Sequence, residues 1–370
     1  MRRREMAGCG HPLPFAAAAG LALGLALFAH QLFLTLAAVV IGPLPAVQTA
    51  LYLSRKDLSE AAAQAVSESA QETQAEPAQE TPALPAGDME AYLVPLEGDE
   101  ARPEGAGAIL EKNYPQGSGE KYIPCGSGSI KNNTNVSNTD VAAEITNPLP
   151  FAVEWNSPDP QILIMHTHAS EAFTPAGRDL YPASDTCRTE DTNYNIVHVG
   201  DVLADTLTAA GLQVLHDRTI YDYPSYTGSY NRSGAAVQEY LNQYPSLRIV
   251  IDLHRDALCS DSVVYKTVAE LPDAACSQVM LLVGTNASGL YHPYWEENLR
   301  LAVYLQDAVN AAHPTLMRPI TLVNERYNQH LTRGSLIIEV GSSGNTLQEA
   351  TRAVRLFGES AGPALARLVQ

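Results

Sequence analysis

The chain has 370 residues, a formal net charge of −18 and a sequence pI of about 4.9. This acidic balance argues against a nucleic-acid-binding protein, which needs a basic surface to bind the phosphate backbone. The length allows one large catalytic domain with additional segments, and the five cysteines include no C-x-x-C pair, which argues against a cysteine-rich zinc module.

The first predicted element is a membrane anchor over residues 13–43. Residues 1–12 contain three consecutive arginines, and 13–43 contain no Asp, Glu, Lys or Arg. A membrane-spanning helix needs about 20 apolar residues, and flanking arginines stay in the cytoplasm. The apolar run is longer than the h-region of a cleaved signal peptide, which has about 7–15 residues. We therefore expect a single-pass anchor in the cell membrane with the rest of the chain outside the cytoplasm; a cleaved signal peptide is the alternative.

An acidic, largely disordered linker is predicted over residues 56–119. The stretch 56–105 holds twelve acidic residues against two basic ones and is rich in Ala, Gln, Ser and Pro. Such a segment cannot bury enough apolar surface to offset the entropy lost on ordering. We expect it to be a tether between the membrane and an extracytoplasmic catalytic domain at 120–370.

Residues 120–370 alternate apolar strands with amphipathic helices. The runs "QILIM" and "LRIVIDL" predict buried strands, and "NIVHVGDVLADTLTAAG" has apolar residues at helical spacing, with Gly211 as its C-cap. This alternation predicts an α/β fold with a mostly parallel sheet flanked by helices on both faces.

Polar residues stand at the ends of three predicted strands. "ILIMHTH" ends in His166 and His168, "IVIDLHRD" contains His254, and "LIIEVG" contains Glu339. The carboxyl ends of parallel strands form one edge of an α/β sheet, so these side chains are expected to converge. Zinc binds imidazole and carboxylate groups, and a nearby glutamate can move protons. One such residue alone would more often be structural, but together they predict a hydrolytic Zn²⁺ site.

Several segments resemble the stage II sporulation protein P family, among them "HTHASEAF", "VIDLHRDA" and "NQHLTRGSLIIEVGSSGNTLQEA". The resemblance covers roughly residues 120–370, and the anchor and tether match the family's layout. It implies a peptidoglycan hydrolase of sporulation and engulfment, with N-acetylmuramoyl-L-alanine amidase activity and endopeptidase activity on peptide cross-links. It also implies a partner, the lytic transglycosylase stage II sporulation protein D.

The family is similar to zinc-dependent N-acetylmuramoyl-L-alanine amidases, and that similarity implies roles for individual residues. The first zinc ligand is His168 or His166, the second is His254, and Glu339 is the late catalytic glutamate. Arg255 is expected to orient the carboxylates of the stem peptide or to stabilise the oxyanion; the alternative is an ion pair with the aspartate that follows it.

The middle carboxylate ligand stays open between three residues. In the zinc amidases it stands four residues before an asparagine that opens a helix, and here Asp191 holds that position relative to Asn195. Glu190 is its neighbour. Glu171 is the other candidate, because it belongs to the "HTHxxE" block of the family itself.

Two other functions and two disulfides complete the expectations. A catalytically silent peptidoglycan-binding module that recruits a partner hydrolase is the main alternative, and a metal-dependent deacetylase of the same polymer is another. The intact histidine and glutamate blocks argue against a degenerate module. Outside the cytoplasm, cysteines are free to pair, and the predicted pairs are Cys259 with Cys276 and Cys125 with Cys187.

Overall fold

The computed structural model describes residues 107–149, 151–154, 157–181, 185–260, 263–272 and 274–368. The predicted anchor over 13–43 lies outside these ranges. No helix within the ranges is long and apolar enough to cross a membrane.

The described part contains twelve strands and five α-helices. The strands are β1 Gly107–Lys112, β2 Tyr122–Cys125, β3 Gly128–Asn132, β4 Ile162–Met165, β5 Leu180–Tyr181, β6 Val214–His216, β7 Ile249–Asp256, β8 Cys259–Ser260, β9 Val263–Thr267, β10 Val279–Gly284, β11 Ile320–Val323 and β12 Ser335–Ser342. The helices are α1 Asn138–Glu144, α2 Ile196–Ala209, α3 Ser229–Gln243, α4 Trp295–Ala312 and α5 Leu347–Ala366, with a 3-10 turn at Gln329–Leu331.

The central sheet has eight strands in the order β2-β3-β11-β10-β12-β7-β4-β6. Neighbouring strands are parallel except for β2 with β3 and β10 with β12, which are antiparallel. The prediction of a mostly parallel α/β sheet is therefore confirmed. A second sheet has four strands in the order β5-β1-β9-β8.

Helices cover both faces of the central sheet. Successive side chains of a strand point to opposite faces, so each apolar strand contributes to a core on either side. In β4, Ile162 and Ile164 join the larger core, which includes residues of α2, α4 and α5. The alternate residues Leu163 and Met165 join the smaller core, to which α3 contributes Val237. A strand buried on both faces is apolar throughout, as "ILIM" is.

The start of helix α2 is tied to the carboxyl end of β4. The side chain of Asn195 caps the helix by accepting a hydrogen bond of 2.9 Å from Val197 N. The backbone N–H of Ile196 donates to the carbonyl of Glu171 at 2.8 Å. Asn195 therefore opens the helix as predicted. Gly211, predicted as the C-cap, lies one residue beyond the observed C-cap and has a φ of +89°.

Two details differ from the sequence predictions. Strand β1 pairs with β9 and β5, so regular structure begins within the segment that was predicted to be linker. Neither predicted disulfide is present, because Cys125, Cys187, Cys259 and Cys276 are all free thiols. Cys276 is buried, with its thiol directed to the neighbouring backbone carbonyl, whereas Cys259 is exposed.

Candidate active site

His168 and His254 converge at the carboxyl ends of β4 and β7. Their ring centroids are 5.3 Å apart with the planes at 77°. Glu171 lies beside them, with its Oε2 3.4 Å from Nδ1 of His254. His168, Glu171 and His254 are only 7%, 6% and 3% exposed. His168 and Glu171 share one turn after β4, in which the N–H of Glu171 donates to the carbonyl of His168 at 3.1 Å.

Glu339 lies next to His254 in the sheet. The two residues are register partners in the parallel pair β12–β7, so both side chains project from the same face. The residue is partly exposed as a whole, yet its Oε2 is buried and has no hydrogen-bond partner among the described residues. Burial, and then the nearby carboxylates of Asp256 and Glu171, raise the pKa of Glu339 to about 8. A carboxyl group of this kind can exchange a proton near neutral pH.

The two histidines differ in their electrostatic environment. Burial, and then the neighbouring His254, lower the pKa of His168, so its imidazole is neutral and keeps a lone pair. For His254 burial acts in the same direction, but the carboxylates of Asp252 and Glu171 outweigh it and raise the pKa well above its usual value. His254 therefore stands where two carboxylates favour positive charge.

Asp252 supports His254 from the same face of β7. Its Oδ1 forms an ion pair of 2.8 Å with Nε2 of His254. The same carboxylate accepts hydrogen bonds from Thr167, from N at 2.8 Å and from Oγ1 at 2.7 Å. Asp252 thus links the turn after β4 to the strand that carries His254.

His166 is buried away from the cluster, and both of its ring nitrogens are occupied. Nδ1 lies 2.9 Å from the carbonyl of Leu253, and Nε2 lies 2.8 Å from Nε2 of His216. A carbonyl can only accept, so Nδ1 carries the hydrogen and Nε2 must accept from His216. His216 in turn contacts Asp201 at 3.0 Å through its other nitrogen. The structure therefore brings His168, and not His166, to His254 with a nitrogen available for a metal.

Gly200 in helix α2 is required by this histidine pair. A Cβ at position 200 would lie 2.6 Å from Nε2 of His216 and 2.7 Å from Cε1 and Nε2 of His166. We expect Gly200→Ala to destabilise the protein by about 1–3 kcal/mol, because overpacking outweighs the gain in helix propensity. Chemical denaturation measures the change. Asp205→Ala, on the exposed side of the same helix, is the control; equal stability of both variants would contradict the prediction.

Asp191 and Glu190 are exposed and do not join the cluster. The carboxylate of Asp191 accepts hydrogen bonds from N of Asn193 at 3.0 Å and from its Nδ2 at 2.9 Å, which closes a local turn before Asn195. Of the three carboxylates considered, Glu171 is the one beside His254.

Arg255 binds the protein backbone. Its guanidinium donates to the carbonyls of Ala172 at 2.8 Å and Cys187 at 2.7 Å. Its backbone N–H donates to Oε2 of Glu171 at 3.1 Å. Asp256, the alternative ion-pair partner predicted for Arg255, instead pairs with Arg318 at 2.8 Å. The contacts of Arg255 therefore hold Glu171 and the loop that follows it.

Aromatic rings and an arginine border His168. The ring of Tyr226 stacks on His168 at 4.4 Å between centroids, with 12° between planes, and Tyr230 meets it edge-on at 5.4 Å. The guanidinium carbon of Arg188 lies 5.0 Å from the centroid of Tyr226. Arg188 is fixed by a hydrogen bond of 2.7 Å to Asp222. These side chains form one wall of the candidate site.

A family comparison decides the relationship of this chain. The family described as Stage II sporulation protein P (SpoIIP) matches residues 55–360. The chain belongs to the stage II sporulation protein P family. The family resemblance predicted from the "HTHASEAF" and "LIIEVG" segments is thereby confirmed.

One curated relative in the stage II sporulation protein P family comes from Bacillus subtilis (strain 168) and is named Stage II sporulation protein P. It is 26% identical over 203 residues, which cover 52% of this chain and 48% of the relative. The aligned segment therefore spans about half the length of that relative.

Solved structures with similarity to this chain include three amidases. N-acetylmuramoyl-L-alanine amidase from Clostridium difficile 630 is 15% identical and covers 57% of this chain and 95% of its own, with a TM-score of 0.32. N-acetylmuramoyl-L-alanine amidase AmiC2 of Nostoc punctiforme is 15% identical and covers 56% of this chain and 94% of its own, with a TM-score of 0.30. The CwlD amidase from Clostridioides difficile, solved in complex with the GerS lipoprotein, is 13% identical. It covers 56% of this chain and 94% of its own, with a TM-score of 0.33. At these scores the likeness is partial, and the fold assignment rests on the strand order given above.

The donor set of this member of the stage II sporulation protein P family fits zinc in type and charge. His168 is neutral, and His254 lies beside two carboxylates that favour positive charge at its ring. Burial would raise the pKa of Glu171, but His254 and Arg255 outweigh it and lower that pKa, so the group is ionised. Within the part of the chain that the structure describes, no three His, Cys, Asp or Glu side chains are spaced to hold a metal ion. The donors therefore fit zinc in type and charge, while the described side chains do not form a metal-binding group.

Three residues of the site were not predicted from the sequence: Asp252, Asp222 and Arg188. Asp252 had a signal, because it stands two residues before His254 in a strand and so faces the same side. Arg188 had none. It reaches the site because its loop forms an isolated antiparallel bridge with Glu171, a contact that only the tertiary fold creates.

Proposed function

We propose that this protein is a peptidoglycan hydrolase of sporulation that cleaves the amide between N-acetylmuramic acid and L-alanine. The observation that carries the proposal is the meeting of two histidines and two glutamates at one edge of the sheet: His168, Glu171, His254 and Glu339. Membership of the stage II sporulation protein P family supports sporulation as the setting and peptidoglycan as the polymer.

Zn²⁺ would be held by His168, Glu171 and His254. When bound, zinc supplies Lewis acidity toward the amide carbonyl and lowers the pKa of water. The protein contributes the proton transfers. Glu339, whose pKa burial raises to about 8, takes a proton from the attacking water and returns it to the leaving L-alanine nitrogen.

The surrounding residues fix the positions of these groups. Asp252 accepts two hydrogen bonds from Thr167 and faces His254, which orients the histidine relative to the turn that carries His168. Arg255 holds Glu171 through its backbone N–H. Such outer contacts are typically worth roughly 10–100-fold in metal affinity or activity.

The finer features follow from the sequence and from the family resemblance. We propose that residues 13–43 anchor the protein in the cell membrane with the catalytic domain outside the cytoplasm. We further propose that it also cuts peptide cross-links and that it acts with a lytic transglycosylase of the stage II sporulation protein D type.

The proposal is tested by product analysis with the full-length protein. We expect the wild type, supplied with Zn²⁺, to release new L-alanine amino groups from purified peptidoglycan. His254→Ala should lower this rate by more than about 100-fold, because even an outer partner of a ligand is worth roughly 10–100-fold. Asp191→Asn, which changes an exposed carboxylate, should retain the wild-type rate.

Other products would identify the alternatives. Release of acetate in place of amino groups would show a deacetylase. Sedimentation with peptidoglycan, without any new amino groups, would show a silent binding module. Full activity of His254→Ala would remove His254 from the mechanism and overturn the proposal.

A further inference from the structure

Arg188 is a cationic side chain that contacts the candidate site and is also exposed to solvent. Its side chain is 32% exposed, whereas those of its partners Asp222 and Glu171 are 1% and 7% exposed. Arg255, the other arginine beside Glu171, is buried and donates to backbone carbonyls. Of these two arginines, Arg188 is therefore the one that a ligand can reach from solvent.

NH1 of the Arg188 guanidinium is held by two hydrogen bonds, whereas NH2 makes a longer ion-pair contact. NH1 of Arg188 donates to Oγ of Ser170 at 3.1 Å and to Oδ2 of Asp222 at 2.7 Å. NH2 lies 3.7 Å from Oε1 of Glu171, beyond hydrogen-bond distance. The ring of Tyr226 lies against the group at 5.0 Å. An arginine held in this way is preorganised, so its side chain loses little conformational entropy when it binds an anion.

The position of Arg188 relative to the reacting centre suggests which anion it binds. The carboxylate of Glu171 contacts both residues, since its Oε1 lies 3.7 Å from NH2 of Arg188 and its Oε2 lies 3.4 Å from Nδ1 of His254. In the peptide stem, an acidic residue follows the L-alanine whose amide is cut. Two extended residues span roughly 7 Å. With the scissile amide at His254, the carboxylate of that acidic residue can therefore reach past Glu171 to Arg188.

We propose that Arg188 is a specificity-determining residue that binds the free carboxylate of the acidic second residue of the peptide stem. Arginine suits this role because its planar fork donates two parallel hydrogen bonds to a carboxylate. The inference rests on the proposed amidase function and assigns to Arg188 the substrate contact that the sequence alone suggested for Arg255.

The test uses two soluble muramyl peptides that differ at one group. In one the second residue carries the free carboxylate, and in the other that carboxylate is an amide. We expect Arg188→Gln to lower kcat/KM for the acid form by about 10- to 100-fold, mainly through KM, because hydrogen bonds to charged groups are the strong class. The amide form should change by less than about threefold. For the acid form, the kcat/KM of Arg188→Lys should lie between those of the wild type and Arg188→Gln, because lysine keeps the charge but lacks the planar guanidinium.

Two further measurements separate binding from structural support. Calorimetry should show that the dipeptide of L-alanine and glutamic acid binds the wild type more tightly than its amide does, and that Arg188→Gln abolishes the difference. Bound zinc per folded protein should be unchanged in Arg188→Gln. Arg333→Gln, which removes another exposed arginine two residues before β12, is the matched control and should behave as wild type.

The outcomes distinguish this inference from the proposed function. If Arg188→Gln slows both substrates equally or loses zinc, Arg188 only supports Glu171, and the inference is overturned. If the wild type and Arg188→Gln cleave both substrates alike, the subsite is absent although the amidase function stands. If the wild type cleaves neither substrate, the proposed function itself fails.

Discussion

Glu339→Gln is expected to abolish peptidoglycan hydrolysis and, in the metal-free protein, to increase stability at alkaline pH. Glutamine has nearly the same shape, but it cannot take a proton from water, so the loss of rate should exceed about 100-fold, the lower part of the range for general acid–base catalysis. The gain in stability follows from the buried Oε2, which has no hydrogen-bond partner in the described ranges. An ionised carboxylate there is unfavourable.

The pH dependence of the stability difference has a defined sign. Burial raises the pKa of Glu339 from 4.5 to about 8 in the folded protein. The folded state therefore holds a proton that the unfolded state releases, and this contribution is complete below pH 4.5 and is lost as the pH rises through about 8. Since one pKa unit corresponds to about 1.4 kcal/mol and the residue is partly exposed, we expect Glu339→Gln to gain a few kcal/mol above pH 8 and little near pH 4.5.

Urea denaturation of chelator-treated protein at several pH values measures this difference. Glu325→Gln is the control, because Glu325 is exposed and should show no such trend. A Glu339→Gln protein that is inactive but equally stable at all pH values would retain the catalytic role and remove the argument from burial. An active Glu339→Gln protein would overturn the mechanism.

The sequence predicted the fold to the extent that local patterns specify it. The run "ILIM" and the helical spacing around Leu203 give strands and helices whatever their partners are, and the structure confirms them as β4 and α2. The direction of a strand has no local signal. Strand β10 runs antiparallel to β12 although its sequence, like that of the parallel strand β4, is a plain apolar run. Strand β1 joins a sheet because β9 and β5, both distant in the sequence, lie beside it.

The candidate site was predictable where a residue directly follows or belongs to a strong strand. His254 and Glu339 lie in register on neighbouring strands, so recognising the strands places both side chains. His166 and His168 could not be separated in this way, because which ring turns to His254 depends on the partner that His216 offers to His166. The third ligand posed the same difficulty, since spacing to Asn195 favoured Asp191 and only the tertiary fold places Glu171 beside His254.

The ligand set gives the second prediction. We expect Glu171→Gln to lose tightly bound zinc and Asp191→Asn to retain it, because Oε2 of Glu171 lies 3.4 Å from His254 whereas Asp191 caps a local turn. Both substitutions remove one carboxylate with little change in volume. Metal analysis of the purified, folded protein measures the zinc content. The affinity of Glu171→Gln should fall by more than about 100-fold, beyond the range for an outer-sphere partner.

The histidines provide the second arm of this experiment. His168→Ala should lose zinc while the protein stays folded, because the neutral ring of His168 borders the candidate site and stacks on the exposed Tyr226. His166→Ala should do the reverse: it leaves the carbonyl of Leu253 and the ring of His216 without a buried partner, so stability falls by about 1–3 kcal/mol while the folded fraction still binds zinc. Loss of zinc from folded His166→Ala, together with retention by His168→Ala, would contradict this assignment. A shift of the melting temperature on zinc addition, present in Asp191→Asn and absent in Glu171→Gln, would support it independently of catalysis, since a ligand that binds only the folded state raises its stability.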